Sequence, residues 1–306
     1  MFPDDLRAAL ADYAIPTEPV SFVRSPFPVY RLGATTVRLH LIDFATYRTL
    51  AERTDATYFF QGLSDTAGGP GQPLIHIWED VWRAKPAVVL SRLRAQAGDS
   101  VRIPARLTLV RRIDRPTADR FLAEHHLQVP VTAKHKYGLF LPRRYFRVLP
   151  PDRAPDADEW LVAVATFAHA RQFRRNDGIH RDGLHRDGLH RDDIHRSIEL
   201  VRFANRLGHT VVGGLDKLLN ALVTEQQPDD VMTYADRDWS EGRSYERLGF
   251  ARVGTTDPQQ FWLDPRAMTR HYPHRLADPT GYVPVYNAGS IKFVKVIPGH
   301  SLRDIR

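Results

Sequence analysis

The chain has 306 residues, 42% hydrophobic and 26% charged, which is enough for one large or two medium domains with proper cores. It has no cysteine, so disulfides, thiolate metal sites and cysteine catalysis are excluded, and no apolar run reaches the about 20 residues of a membrane-spanning helix. A formal charge of +7 and a pI near 9.7 favour a polyanionic partner, nucleic acid or a phosphorylated cofactor, although an arginine-rich composition alone gives the same balance.

The start, MFPDDLRAAL, lacks a cationic segment followed by an apolar block, so a cytoplasmic protein is expected. In residues 1–100 the run Thr36–Ile42 alternates like a strand, and a glycine- and proline-rich loop at Ala67–Pro73 precedes an apolar strand, Leu74–Trp78. After Pro86 an amphipathic helix carries Val88, Val89, Leu90 and Leu93, with Arg92 and Arg94 on its solvated face. The order LIHIW, then Glu79-Asp80-Val81-Trp82, then a basic helix resembles the tail of Vsr-like restriction-endonuclease folds. Such a nuclease needs clustered carboxylates and a lysine around a metal ion. Here Asp43 and Glu52 are the candidate acids and no lysine accompanies them, so residues 1–100 are expected to be an inactive, nuclease-derived α/β module.

Residues 101–175 begin with Val101–Arg106 and then read as a strand at Thr108–Arg112 and a helix opened by Pro116-Thr117 that runs to His125 or His126. Strands at Tyr137–Leu141 and Glu159–Phe167 follow, separated by the proline-rich loop Pro142–Pro155. The helix dipole should favour protonated imidazole at His125 and His126, and capping or packing competes with a catalytic role for either. Residues 176–196 repeat DGIHR, DGLHR, DGLHR, DDIHR with a period of five, which fits neither helix nor strand. His180, His185, His190 and His195 invite a metal reading, but a short repeat of successive turns does not make ligands converge on one ion. A surface insertion with no metal is the better reading.

Glu199–Asn205 alternates as a strand, Leu207–Gly214 is a glycine-containing turn, and Leu215–Thr224 sets Leu215, Leu218, Leu219 and Leu222 on one helical face. A strand, a glycine turn and a helix N-terminus make an anion site: Gly213 and Gly214, preceded by Val211 and Val212, allow close backbone approach and the first-turn amides hold the charge. Further on, Thr233–Phe250 (TYADRDWSEGRSYERLGF) reads as strand, turn and short helix, with Ser244 opening the helix and Gly249 ending it. Phe261-Trp262-Leu263 follows, and alternation on either side of Asn287-Ala288-Gly289 looks like a closing hairpin. Tyr272, His274, Arg275, Tyr286 and Lys292 form an aromatic and basic set suited to stacking on bases and pairing with phosphates; a solvated hairpin would carry the same residues.

From 101 to 250 this order of elements resembles the GNAT acyltransferase superfamily: strand, helix, two strands, a phosphate loop with its helix, then a strand and a tyrosine helix ending in Gly-Phe. Within it, Glu199-Leu200-x-Arg202-Phe203-Ala204, Thr233-Tyr234-Ala235-Asp236 and Gly242-x-x-Tyr245-x-x-x-Gly249-Phe250 are similar to phage Mom-type DNA-modification proteins. The resemblance implies an α/β (α+β) fold, a GNAT-like mixed sheet flanked by helices, over 101–265. The repeat is inserted at 176–196 and a hairpin extension occupies 266–306. It implies acetyl-CoA or another acyl-CoA as cofactor, held by Arg206, Gly208, Val211, Val212, Gly213 and Gly214, with Arg206 and Gly208 fitting only the start of the usual loop spacing. It implies Tyr245 as the acid for the departing thiolate, with Asp236 and His126 as a base or metal pair. It also implies a nucleic-acid partner, DNA favoured, met by Arg202, Tyr272, His274, Arg275, Tyr286 and Lys292. A non-catalytic nucleic-acid-binding protein or remnant nuclease on a GNAT scaffold, and an N-acetyltransferase of a protein or small amine, remain as alternatives.

Overall fold

A computed structural model describes residues 2–67, 71–174 and 194–298. The chain opens with α1 (Phe2–Ala11), then β1 (Thr17–Val20), β2 (Val29–Leu32), β3 (Arg38–Ile42), α2 (Phe44–Arg53), α3 (Phe59–Ala67), β4 (Leu74–Trp78), α4 (Glu79–Ala84) and α5 (Pro86–Gln96). β1 to β4 form a sheet in sequence order, antiparallel up to β3 and parallel between β3 and β4. All five residues of β4 are buried, His76 among them, which is why the strand reads as a largely apolar run without alternation.

This sheet does not close its own core. On one face Leu39, Leu41, Ile77, Val89 and Leu93 pack with Trp239; on the other Tyr47, Phe60 and Trp78 pack with Leu263, Val285 and Ala288. Residues from the later half of the chain thus complete both faces. The two expected acids are not brought together. Asp43 caps α2 by accepting from the Thr46 N–H at 2.9 Å, and Glu52 is an exposed partner of Arg48. Among the described residues no cluster of His, Asp and Glu could hold a metal ion, and no helix is long and apolar enough to cross a membrane.

The second half comprises β5 (Val101–Pro104), β6 (Leu109–Arg112), α6 (Arg115–His125), β7 (His135–Pro142), β8 (Glu159–Phe167), β9 (Arg171–Arg174), β10 (Ile194–Asn205), β11 (His209–Val212) and α7 (Gly214–Gln226). It continues with β12 (Asp230–Asp236), α8 (Arg243–Arg247), β13 (Ala251–Thr255), β14 (Gln260–Asp264), β15 (Thr269–His271), β16 (Val283–Tyr286) and β17 (Ser290–Val296). The central sheet runs β13-β17-β12-β10-β8-β7-β6, with β9 added beside β10. Only β10 and β12 run parallel in it; the other neighbours are antiparallel. α7 covers one face through Leu218, Leu219 and Leu222, and α6 covers the other through Ala118, Phe121 and Leu122. This is the GNAT-like mixed sheet flanked by helices that the order of elements implied.

Three expectations need correction. Val283–Tyr286 and Ser290–Val296 are not a hairpin: β16 joins β14 in a separate three-stranded sheet, and β17 enters the central sheet between β12 and β13. Buried Asn287 and Gly289, the latter at φ +79°, redirect the chain between the two sheets. The turn before α7 contains a strand, since β11 pairs in parallel with β5. The inserted repeat is bracketed by the β9–β10 hairpin, whose last described pair is Arg174 with Ile194; His180, His185 and His190 lie outside the described residues. His195 instead belongs to β10, with its Nε2 2.6 Å from an Asp230 carboxylate oxygen.

Candidate active site

The parallel pair β10 and β12 is in register from Ser197 with Asp230 to Leu200 with Thr233, and there the pairing stops. β10 runs on to Asn205 and β12 to Asp236, so the strands part and their facing edges lose a partner. A bulge at Val201 sits at the same level: Leu200 lies opposite Phe167 while Arg202 lies opposite Thr166. The extra residue reverses the alternation. Leu200 points into the core under α7, whereas Ala204, and with it Arg202, faces α6. A cavity of about 230 Å³ occupies the gap, lined from both sides of the sheet.

Tyr245 reaches the gap from α8. Its ring packs 5.7 Å from Phe250 and 5.6 Å from Phe293, and burial holds its phenol above the ordinary value near 10 against the opposing effects of Thr233 and the Arg92 charge. The helix is positioned by Gly242, its N-cap at φ +78°, and not by Ser244, which is an exposed residue inside the helix. Gly249 does end the unit in the left-handed region, at φ +82°.

Asp236, the last residue of β12, lines the same cavity. Its Oδ1 accepts from the Asp238 N–H at 3.0 Å, the turn-capping role such a residue ordinarily has, and Gln128 Nε2 lies 3.4 Å from Oδ2. Burial raises its carboxyl above the usual range, countered by that backbone donor and by Arg92 and Arg270. Asp238, buried beside it, is also raised, first by burial and then by Asp236.

His126 lines the cavity but makes no bond to Asp236; its Nδ1 accepts from the Gln128 N–H at 3.1 Å. The expected protonation of the two histidines is overturned. Burial, then Arg202 and Arg92, bring His126 down to about 3, and burial with Arg206 brings His125 to about 4. The end of α6 has a different cation: Lys85 Nζ donates to the Ala123 and His126 carbonyls at 2.8 and 2.7 Å, so the helix dipole is answered without imidazolium.

The expected phosphate loop divides into two parts. Arg206 and Gly208 are committed to the fold. Arg206 donates from Nε to the Leu161 carbonyl at 2.9 Å and stacks on Trp160 and Phe121, while the Gly208 N–H donates to Ser91 Oγ at 2.9 Å and its carbonyl accepts from Val101. Val211 is buried, with its N–H directed to Asn205 Oδ1 at 3.3 Å; Val212 is exposed. Gly213 is the left-handed N-cap of α7 at φ +77°. Gly214 packs so closely that a Cβ would lie 2.9 Å from Val211 Cβ. The first bond of the helix end is Lys217 N–H to the Gly213 carbonyl, leaving the amides of Gly214, Leu215 and Asp216 as first-turn donors. Lys217 itself turns its ammonium to the carbonyls of Ala105 and Thr108.

The expected nucleic-acid set is only partly brought together. Tyr272 stacks 5.2 Å from Phe261 and 5.5 Å from His274, with Arg275 5.8 Å above it, and His274 and Arg275 are exposed. Tyr286 lies on β16 and Lys292 on β17, in different sheets, and Arg202 lines the cavity rather than an outer face. One residue escaped the sequence reading: Arg92, assigned there to solvent, stacks 4.8 Å over Trp239 and lines the cavity from α5. A helical wheel shows only that it lies off the apolar stripe, not that a turn from residue 237 onward covers that face.

No family model and no curated protein matches this sequence. Among solved structures the chain is similar to Arabidopsis thaliana NAA60 in complex with acetyl-CoA, at 10% identity over 62% of this chain and 99% of that one, TM-score 0.35. It is similar to the histone acetyltransferase HPA2 and related acetyltransferase from Corynebacterium glutamicum, at 13% identity over 64% and 99%, TM-score 0.34. It is also similar to a Bacillus subtilis acetyltransferase in complex with CoA, at 11% identity over 62% and 99%, TM-score 0.30. The assignment of a GNAT-like fold rests on the strand order and on the single parallel pair that parts at its centre.

Proposed function

We propose that the chain is an acyl-CoA-dependent N-acyltransferase. The observation that carries this reading is the parting of β10 from β12 beyond Leu200 and Thr233, with Tyr245 at the opening. Bound there, an acyl-CoA supplies an acyl group activated as a thioester. The residues of the gap fit that group: apolar Leu127 and Phe203 in a mixed lining, strand-edge N–H donors beyond Leu200 to polarise a carbonyl, and a protonated phenol. The first-turn amides of α7 fit a pyrophosphate, whereas Arg206 and Gly208 do not take part.

The acceptor amine attacks with its neutral nitrogen, so a C–N bond forms, the C–S bond breaks, and one proton must reach sulfur while one leaves nitrogen. Tyr245, held protonated by burial, supplies the first. Asp236, in its ionised fraction, takes the second and passes it to water through the open cavity. His126 stays neutral and is hydrogen-bonded to the Gln128 backbone, which fits a wall better than a metal ligand.

Changing Tyr245 to Phe tests the reading. Turnover with a found acceptor should fall about 10²–10⁴-fold with acyl-CoA affinity retained, and unfolding should change by about 1 kcal/mol or less. Equal turnover removes Tyr245 from the chemistry. Native mass spectrometry of freshly purified protein should show retained acyl-CoA. DNA as the acceptor, the Mom-type reading, draws support from exposed His274 and Arg275 beside Tyr272, whose position also bears electrostatically on Arg202. Salt-sensitive oligonucleotide binding without CoA would favour a binding protein instead.

A further inference from the structure

Two guanidinium groups line the cavity between β10 and β12, and neither has an ion-pair partner among the described residues. Arg92 enters from α5 of the first sheet's layer. Its guanidinium stacks over the face of Trp239 at 4.8 Å and makes no hydrogen bond to a described residue. Arg202 enters from β10 just past the bulge. Its Nη1 donates to the Val201 carbonyl at 2.8 Å, and its Nε is buried with no acceptor.

A buried arginine without an acceptor is costly; Asp236 acts on both charges through space, but neither guanidinium hydrogen-bonds to it. Arg270, the third arginine of this region, is already satisfied by a two-point bond to Asp80 at 2.6 and 2.9 Å. Asp236 is the one carboxylate lining the cavity, and its oxygens face the Asp238 amide and Gln128. His126, between the two arginines, is kept neutral by burial and by both of them. The cavity therefore presents two cationic forks and one carboxylate.

We propose that Arg92 and Arg202 are the anion-binding end of the acceptor site, and that the acceptor is a small amine carrying a carboxylate or phosphate, its nitrogen towards Asp236. The identity of the ligand as an acceptor rests on the acyltransferase reading; the anion site does not. The planar fork of arginine matches carboxylate and phosphate oxygens in pairs. A cavity of about 230 Å³ has room for a group of amino-acid size. The arrangement also selects: an amine without an anionic group leaves both arginines unsatisfied, the kind of penalty that gives strong discrimination.

Calorimetric titration of the full chain with ethylamine, β-alanine and O-phosphoethanolamine tests this. The two anionic amines should bind and ethylamine should not, and the preference between the two tells carboxylate from phosphate. Arg92→Gln and Arg202→Gln should each weaken that binding about tenfold or more, with acetyl-CoA affinity unchanged. Arg94→Gln, whose guanidinium stacks on Tyr13 and pairs with Asp99, should alter neither. If Arg202→Gln fails to fold, Arg92→Gln with a wild-type melting curve decides alone. Full affinity in that variant overturns the proposal, as do ethylamine binding as tight as β-alanine, no binding of any of the three, or arginine-dependent binding confined to an oligonucleotide. Arginine-dependent binding of anionic amines by a protein that does not bind acetyl-CoA sustains the anion site and overturns the acyltransferase reading.

Discussion

Gly242 decides where Tyr245 stands, and replacing it with alanine should be among the most damaging single-methyl changes in the molecule. The residue sits at φ +78°, and a Cβ there would lie 2.2 and 2.4 Å from Phe293 Cε2 and Cζ and 3.3 Å from Ala235 Cβ. Phe293 is fully buried on β17 and Ala235 is buried on β12, so neither can withdraw without moving the sheet. The left-handed backbone costs a non-glycine residue about 1–2 kcal/mol, and forcing a methyl into a filled core about 1–3 kcal/mol more. The sum, about 2–5 kcal/mol, is a large part of a stability that for a typical protein is about 5–15 kcal/mol. Gly213→Ala is the control, because φ is +77° there but the nearest atom, Ala105 Cβ, is at an ordinary 3.6 Å. That variant should show the backbone cost alone. Equilibrium unfolding in urea, compared at equal m-values, measures both. A loss at Gly242 no larger than at Gly213, or below about 1 kcal/mol, would refute the steric argument.

Removing Asp80 strands the buried Arg270 guanidinium above the Trp78 ring, so Asp80→Ala should destabilise by about 3–5 kcal/mol, and Arg270→Met added to it should recover part of that loss in the same urea assay. His40 and His76, buried with their Nδ1 atoms 2.8 Å apart, are both held neutral, His76 down to about 3 chiefly by burial. The unfolded chain takes up those protons near pH 6.5 and the folded one does not until much lower, so the unfolded state binds more protons in between; stability should fall as pH drops from about 6.5 towards 3. Replacing His76 with Asn should flatten that slope in denaturation curves taken across the range, and an unchanged slope would assign it elsewhere. Deleting Asp177–Arg191, between the paired ends Arg174 and Ile194, should leave the melting temperature and acyl-CoA binding nearly as they were; a large loss, or a stoichiometric metal lost with the segment, would show that the repeat is more than an insertion.

Much of the fold was legible because local pattern and final environment agree. The run Leu74–Trp78 is wholly buried, Glu159–Phe167 is the strand it reads as, and the helix opened by Pro116-Thr117 begins one residue earlier, at Arg115. What failed were statements about partners. The alternation of Ser290–Val296 says strand, but its neighbours, Asp230–Asp236 and Ala251–Thr255, are fixed by packing many residues away. Ser244 looks like a helix cap and Gly242 a plain turn residue until Phe293 closes over the latter. Tyr245 and Asp236 line one cavity, and the strand, turn and glycine signals that locate them are local. Arg92 was not legible there, since its place depends on Trp239 arriving from another element.

The place of β17 has a consequence for how the site comes into being. Asp236 is paired with Ser290 and Asp230 with Val296, so the strand that forms one wall of the cavity gains its outer neighbour only from residues made some sixty positions later. During synthesis the opening between β10 and β12 therefore has no outer support while the intervening chain is still being added, and the long loops that must close make this pairing a slow one. Any shortened product ending before residue 290 would keep Tyr245, Asp236 and both cavity arginines in its sequence and yet lack the strand that holds them in place.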